Sequence, residues 1–291
     1  MMIRTAIGPY QLVRPLGRGG MAEVHLAIAH GASGFSRQVA IKTLAPEVAT
    51  EPELERALIR EAVLGGALHH RNLVGVLGLG VDDGNYYVVL EYLDGGDLAR
   101  HLRGPMPEPL ALHVVHEVAL GLAYLHAARD ARGLPLQIVH RDVSPANVLV
   151  STTGDVKLAD FGVAKATALA DRTAAGTRKG RYAYMAPEQL AGEPVTAAAD
   201  QFGLGVMLVE LVTGARPFAG ESPWALLEAI RAGAVPGGMA SDLRAIAECA
   251  LAFDAAERFA SVDELRAAIA ATARVRPAAG PLELGAWLSS S

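Results

Sequence analysis

IVHRDVSPANVLV, Ile138 to Val150, followed closely by VKLADFGVAK, Val156 to Lys165, is the stretch on which the reading of this sequence turns. Asp142, Asn147 and Asp160 are the side chains in it that bring hard oxygen donors. Taken singly, Asp142 or Asp160 reads equally well as a helix cap or a loop carboxylate. His140 and Phe161 read as packing residues, since a lone histidine among apolar neighbours is usually core. The weight comes from what precedes them along the chain.

Upstream, LGRGGMAEVHLA, Leu16 to Ala27, places Gly17, Gly19 and Gly20 in a turn between two β-type runs. Small residues there let backbone N–H groups come close to phosphate oxygens. By itself a Gly-rich hairpin is often only a hairpin. A Walker-type loop fits worse: it needs Gly-Lys-Ser/Thr opening a helix, whereas here a strand follows and the lysine, Lys42, arrives later in VAIK. A lysine at the end of a β-run is usually a solvated edge. Lys42, however, precedes a helix bearing Glu61, and a strand lysine paired with a helix glutamate can hold its ammonium against phosphates.

The ordered set of Gly-rich loop, VAIK, HRD-x-x-x-x-N and DFG resembles the protein-kinase signature, over about Tyr10 to Ala270, and LGRGGMAEV and HRDVSPANVLV are similar to bacterial serine/threonine kinases. The resemblance implies an α+β, bilobal protein-kinase fold with a β-rich N-lobe carrying one major helix and a mainly α-helical C-lobe. It implies ATP as co-substrate, bound by Leu16, Gly17, Gly19 and Gly20 of the loop, with Lys42 and Glu61 at the phosphates. Val24, Ala40 and Leu149 would surround the adenine, Leu90 would be the gatekeeper, Glu91 and Leu93 would offer hinge backbone, and Asp97 would meet the ribose. Asp142 takes the place of the catalytic base or hydroxyl-orienting carboxylate, and Asn147 and Asp160 the places of ligands to Mg2+ or Mn2+. Glu188, Asp200 and Arg258 fall at positions that secure the fold. The implied reaction is phosphorylation of serine or threonine hydroxyls on proteins in signalling, including self-phosphorylation of the activation segment, where Thr167, Thr173 and Thr177 are the candidate sites and Arg141 a candidate partner for a phosphothreonine.

Three positions depart from the pattern. Ala22 replaces the third loop glycine, Ser144 stands where serine/threonine kinases carry lysine, and Arg181 stands where they carry threonine. The last two belong to one unit in the usual arrangement, so Arg181 is a candidate to supply part of the missing positive charge at the transferred phosphate. Ser144 keeps open a pseudokinase scaffold that binds nucleotide without transfer and a kinase with a tyrosine acceptor; a kinase-like enzyme with a small-molecule acceptor is a further alternative.

The whole chain agrees with this size and class. Its 291 residues, 51% hydrophobic and 20% charged, suit one large domain or two closely joined lobes. With 26 basic against 31 acidic residues, a dedicated nucleic-acid binder is not expected. The single cysteine, Cys249, and the lack of a signal-like apolar run near Met1 lead us to expect a cytoplasmic setting. FGLGVMLVELV, Phe202 to Val212, carries Glu210 and is too short to span a bilayer, so it reads as a buried helix and no membrane partner is expected. Residues 51–68 read as an amphipathic helix, DDGN at Asp82 to Asn85 as a hairpin turn, and the helix-spaced Leu112, Val115, Ala119, Leu122 and Leu125 as one helical face. We therefore expect an N-lobe over 1–93, a C-lobe over 94–275 and, from the prolines and small residues of RPAAGPLELGAWLSSS, a flexible tail over 276–291. The oligomeric state, the protein substrate and the activating signal are not readable from these residues.

Overall fold

The computed structural model of the protein describes residues 5–160, 182–233 and 237–291. These divide into two compact units, the first made of residues up to 70 with 74–92, the second of 71–73 with those from 93 onward. Leu93, read from sequence as the last residue of the first unit, groups with the second, and so do Arg71, Asn72 and Leu73. The cause is local: the Asn72 carbonyl accepts the Leu158 N–H at 2.8 Å. Its side-chain amide donates to the Val156 carbonyl at 3.0 Å and to Glu117 at 2.7 Å.

The first unit is an antiparallel sheet of β1 (Ala6–Ile7), β2 (Tyr10–Arg18), β3 (Ala22–His30), β4 (Ser36–Leu44), β5 (Val76–Asp82) and β6 (Asn85–Glu91), ordered β1-β2-β3-β4-β6-β5. Between β5 and β6, Asp83 and Gly84 both adopt positive φ, 50° and 77°, the pair of conformations a two-residue type I′ hairpin requires. Directly paired residues share a sheet face. Val24 pairs with Lys42 and Lys42 with Val88, while Leu26 pairs with Ala40 and Ala40 with Leu90. These residues therefore line one face. The other face buries Ala27, Val39, Ile41 and Val89 against Ile7 and Tyr87. Helix α1 (Pro52–Gly66) starts with proline in its first turn and carries Glu53 and Glu55 at the positive end of its dipole. Its Leu58 and Ala62 pack on Val88, so α1 covers the Lys42 face.

The second unit holds a small sheet of β7 (Gly96–Asp97), β8 (Val148–Val150) and β9 (Val156–Leu158). Its helices are α2 (Glu108–Ala127), α3 (Pro187–Ala191), α4 (Ala198–Thr213), α5 (Pro223–Arg231), α6 (Ser241–Ala250), α7 (Val262–Ala273) and α8 (Pro281–Leu288). Every residue of α4 from Ala199 to Val209 is buried, and from Phe202 to Val209 its sequence is accordingly apolar on all sides. Helix α2 is long and apolar enough to cross a bilayer by length and composition alone. In this fold it is a core helix: Val115, Ala119, Leu122 and Leu125 have no exposed surface.

The expected flexible tail is corrected by the structure. Residues 281–288 form α8, with Leu284 fully buried and Leu288 nearly so. Gly280 and Pro281, read as breakers, instead begin the helix: Pro281 occupies the first turn, where its missing N–H is no loss, and the Glu283 carboxylate accepts the Gly280 N–H at 2.9 Å. The segment before it is fastened by Arg276, which holds both oxygens of Asp242, at 2.8 and 2.9 Å, and also pairs with Glu108.

Candidate active site

In the first unit, Lys42 Nζ lies 2.7 Å from Glu61 Oε1, and the two side chains are only 10% and 15% exposed. The sheet register aims Lys42 at the face covered by α1, and the seating of Leu58 and Ala62 on Val88 turns Glu61 towards it. Val24, Ala40 and Leu90 share that face. At the β2–β3 turn the Gly19 N–H donates to the Ala22 carbonyl at 2.8 Å. A Cβ at Gly17 or Gly20 would meet nothing within 4 Å, and at Gly19 only that carbonyl at 3.8 Å. Internal packing therefore does not demand these glycines. Glu91 uses its backbone N–H and one carboxylate oxygen to hold Gly75, at 2.8 and 3.1 Å.

In the second unit the loop before β8 is held in a strained shape. Arg141 and Asp160 both sit in the left-handed region, φ 67° and 60°, a conformation that costs a non-glycine residue about 1–3 kcal/mol and persists only where surroundings impose it. Asp200 imposes it at Arg141: its Oδ1 accepts the Arg141 N–H at 2.7 Å and its Oδ2 the His140 N–H at 2.8 Å. His126 adds a third contact to the carboxylate, from its Nε2 to Oδ2 at 2.8 Å. His140 has no exposed surface. Its Nδ1 accepts the Asp142 N–H at 3.3 Å, so the opposite nitrogen donates to the Ala159 carbonyl at 2.9 Å. One ring thus ties the residue bearing the Asp142 carboxylate to the residue preceding Asp160.

Asn147 closes the loop from the other end. Its side-chain nitrogen donates to the Asp142 carbonyl at 2.6 Å, and its own carbonyl accepts the Ala159 N–H at 2.8 Å. With the nitrogen committed, the amide oxygen is the end offered to a cation. Among the described residues no three His, Cys, Asp or Glu side chains gather as a metal site. One amide oxygen and one carboxylate make a hard, incomplete donor set, which fits a hard divalent cation. Asp97 lies opposite Leu149 in the β7–β8 pairing. Its Oδ1 accepts the Arg100 N–H at 3.2 Å and its Oδ2 meets the Arg100 guanidinium at 2.6 Å.

Residues 10–261 match the family model of the protein kinase domain. This chain belongs to the protein kinase family. It is 39% identical to the tyrosine-protein kinase MasK of Myxococcus xanthus over 97% of the chain and 46% of that protein. It is 37% identical to the serine/threonine-protein kinase PrkC of Bacillus subtilis over 74% of the chain and 32% of that protein. To the serine/threonine-protein kinase PknB of Mycobacterium tuberculosis H37Rv it is 35% identical, over 89% of the chain and 42% of that protein. The chain thus spans less than half the length of each of these relatives. Its fold is that of the crystallised PknI kinase domain of M. tuberculosis, with a TM-score of 0.67 at 30% identity, covering 94% of this chain and all of that one.

The residues that secure this kinase fold are the ones the sequence pointed to. Arg258, its side chain without exposed surface, grips Glu188 through two parallel bonds of 2.8 and 2.9 Å. It also donates to the Ala252 and Ala198 carbonyls and lies 5.1 Å over the Phe202 ring. Gln189 was not anticipated: it accepts the Ala186 N–H at 3.1 Å and donates to the Arg141 carbonyl at 3.0 Å, joining α3 to the Asp142 loop. A glutamine two residues after a helix-opening Pro187 is the signal that could have found it. The pairing of Asp94 with Thr152, at 2.8 Å to its N–H and 2.6 Å to its hydroxyl, has no local signature and was missed. Those hydrogen bonds hold the Asp94 carboxyl below the usual carboxylate range. Phe161, Thr167, Thr173, Thr177 and Arg181 lie outside the described residues.

Proposed function

We propose that this kinase domain transfers the γ-phosphoryl group of ATP to serine or threonine hydroxyls of proteins, its own activation segment included. The observation that carries this reading is the Lys42–Glu61 pair at 2.7 Å, a buried ammonium held ready for phosphates by a carboxylate on a separate element. In this reading Lys42 neutralises the α- and β-phosphates and Glu61 keeps its ammonium from folding back. The Gly17–Gly20 turn offers backbone N–H groups, and its glycines serve close approach, since packing leaves room for side chains.

Asp142 orients the acceptor hydroxyl and takes its proton as the oxygen attacks phosphorus, and its backbone, fixed by His140 and Asn147, keeps the carboxylate in place. Asn147 and Asp160 are the residues that would hold Mg2+ or Mn2+. Such an ion would offset the negative charge that develops on the phosphate oxygens during transfer. On the family resemblance Val24, Ala40, Leu90, Leu149 and Leu16 are assigned to the adenine, the Glu91 and Leu93 backbone to the hinge contacts and Asp97 to the ribose. Arg181 supplies positive charge that Ser144 does not, and Arg181→Ala that turned over as fast as wild type would remove that assignment.

Incubation of the purified chain with Mg2+ and γ-labelled ATP, beside Asp142→Asn, tests the proposal. Phosphothreonine at Thr167, Thr173 or Thr177 that is absent from the variant is the expected result. ATP binding without incorporation in the wild type would leave a nucleotide-binding scaffold instead. A second reading, a tyrosine acceptor, is favoured by Ser144 together with the 39% identity to a protein named a tyrosine kinase; phosphotyrosine as the main product would establish it. A reducing, cytoplasmic location belongs to the same proposal, supported by the single Cys249. Recovery of the domain outside the cytoplasm on cell fractionation would end that part of it.

A further inference from the structure

Helix α8 meets the β8–β9 turn with unusual closeness. A Cβ on Gly154 would stand 1.8 Å from the Pro281 carbonyl oxygen, and one on Gly285 would stand 2.7 Å from the Thr152 carbonyl oxygen. Both contacts are backbone against backbone, so neither neighbour can yield as a flexible side chain could. Each glycine is therefore required by the other element, which makes this a specific seat. Leu284 and Leu288 bury their side chains beside it.

The seat leads to the segment that follows Leu93. Asp94 holds the turn by its two hydrogen bonds to Thr152, and the Gly95 N–H donates to the Val150 carbonyl at 3.1 Å. From the other side His101 donates through Nε2 to the Gly95 carbonyl at 2.8 Å. Its Nδ1 lies 2.9 Å from the Ser291 hydroxyl, and its ring packs tilted against Trp287 with centroids 6.4 Å apart. His101 ends the short turn Leu98–His101 that Asp97 caps. Asp94 to His101, with Asp97 in the middle, is thus clasped between the β8–β9 turn and the end of α8.

We propose that α8 is a positioning element for nucleotide: through His101 and the Asp94–Thr152 pairing it fixes the segment from which Asp97 meets the ribose of ATP. The proposal rests on the assignment of Asp97 made above. Loosening the clasp lowers nucleotide affinity and leaves the chemistry, which belongs to Asp142, nearly untouched.

The test is steady-state kinetics on the full chain for Gly285→Val, His101→Ala and His101→Gln, with Leu282→Ser as a control on the solvent side of α8. Loss of one such hydrogen bond corresponds to about a three- to tenfold rise in KM for ATP, with kcat within about twofold of wild type. His101→Gln, which keeps a donor, should recover most of the loss, and Leu282→Ser should behave as wild type. An unchanged KM in His101→Ala, or a kcat that falls in step with stability, would overturn the proposal. Should Gly285→Val fail to fold, His101→Ala still decides, because it lies outside the buried seat. Asp97→Asn separates the two claims. If it leaves ATP affinity unchanged, the ribose assignment fails, and the clasp is then judged by amide hydrogen exchange over residues 94–102 in His101→Ala: faster exchange keeps it, unchanged exchange removes it.

Discussion

Asp200, on the buried α4, fixes the backbone of Arg141, its Oδ1 accepting that residue's N–H at 2.7 Å while its Oδ2 takes the neighbouring His140 N–H at 2.8 Å. Arg141 is left-handed, and a strained residue directly before the Asp142 carboxylate, the proposed catalytic group, needs a brace that does not itself move. Every residue from Ala199 to Val209 is buried, so the brace stands on a rigid core helix.

Asp200→Asn keeps one acceptor oxygen and presents an amide where the protein supplies only donors. We expect a stability loss of about 2–3 kcal/mol and, at temperatures where the variant is folded, a fall in kcat of at least about tenfold. Urea unfolding beside single-turnover assays measures both; a variant as stable and as active as wild type would show that Arg141 holds its shape without the brace.

The Lys42–Glu61 bond is charge-assisted and largely buried. Glu61→Gln should lower kcat/KM about 10- to 100-fold, the kinetic equivalent of about 1.5–3 kcal/mol. Lys42→Met should cost more. Because Glu61 acts through Lys42, the double variant should be no worse than Lys42→Met alone, and additive losses would mean that the two residues work independently.

Two arginine clamps look alike on paper and should differ in energy. Arg258 is fully buried against Glu188, so Glu188→Gln, which removes one charge of a desolvated pair, should cost about 3–5 kcal/mol. Arg276 also grips a carboxylate with two nitrogens, but Asp242 is 43% exposed, and Asp242→Asn should stay within about 1 kcal/mol. Thermal unfolding of the two variants side by side makes the comparison.

His113, on α2, is held below the usual histidine range chiefly by burial, with Arg71 acting in the same direction and Glu117 and Glu283 opposing. A buried histidine that stays neutral binds fewer protons in the folded than in the unfolded chain. Its contribution to stability is therefore complete above the unfolded value of about 6.5 and is lost as pH falls below it, levelling off beneath the folded value. His113→Leu should flatten this acid limb of the stability curve in urea titrations, and an unchanged limb would assign it to other groups such as His116, which is shifted the same way.

The local texts carried much of the site. Gly17 to Gly20, Lys42, Asp142, Asn147 and Asp160 could be nominated for the proposed site because the chemistry of phosphate restricts which residue types can serve and in what order. The DDGN turn was legible because only a few residues tolerate positive φ. Lys42 and Glu61 were legible as a pair only through the resemblance, since nothing in 19 residues of separation says that two side chains touch. Asn72 and the Asp94–Thr152 pairing carried no such signal, being polar groups that answer to atoms far along the chain.

The C-terminal segment shows the limit most plainly. Proline, glycine and alanine are local breakers, and RPAAGPLELGAWLSSS reads as loose when only its neighbours are considered. What orders it is the β8–β9 turn, more than a hundred residues earlier, whose Gly154 leaves room for the Pro281 carbonyl and whose Thr152 carbonyl needs Gly285 to be bare. By itself the sequence determined the kinase family and the two-part architecture, and it nominated the residues proposed to handle phosphate, because the order of motifs along the chain is a local property that resemblance can read. The tertiary structure alone decided which unit Leu93 and Arg71–Leu73 belong to, what braces Arg141 and where α8 sits. Those depend on close packing and on satisfying buried polar groups, which are properties of surfaces brought together and not of neighbours in the chain.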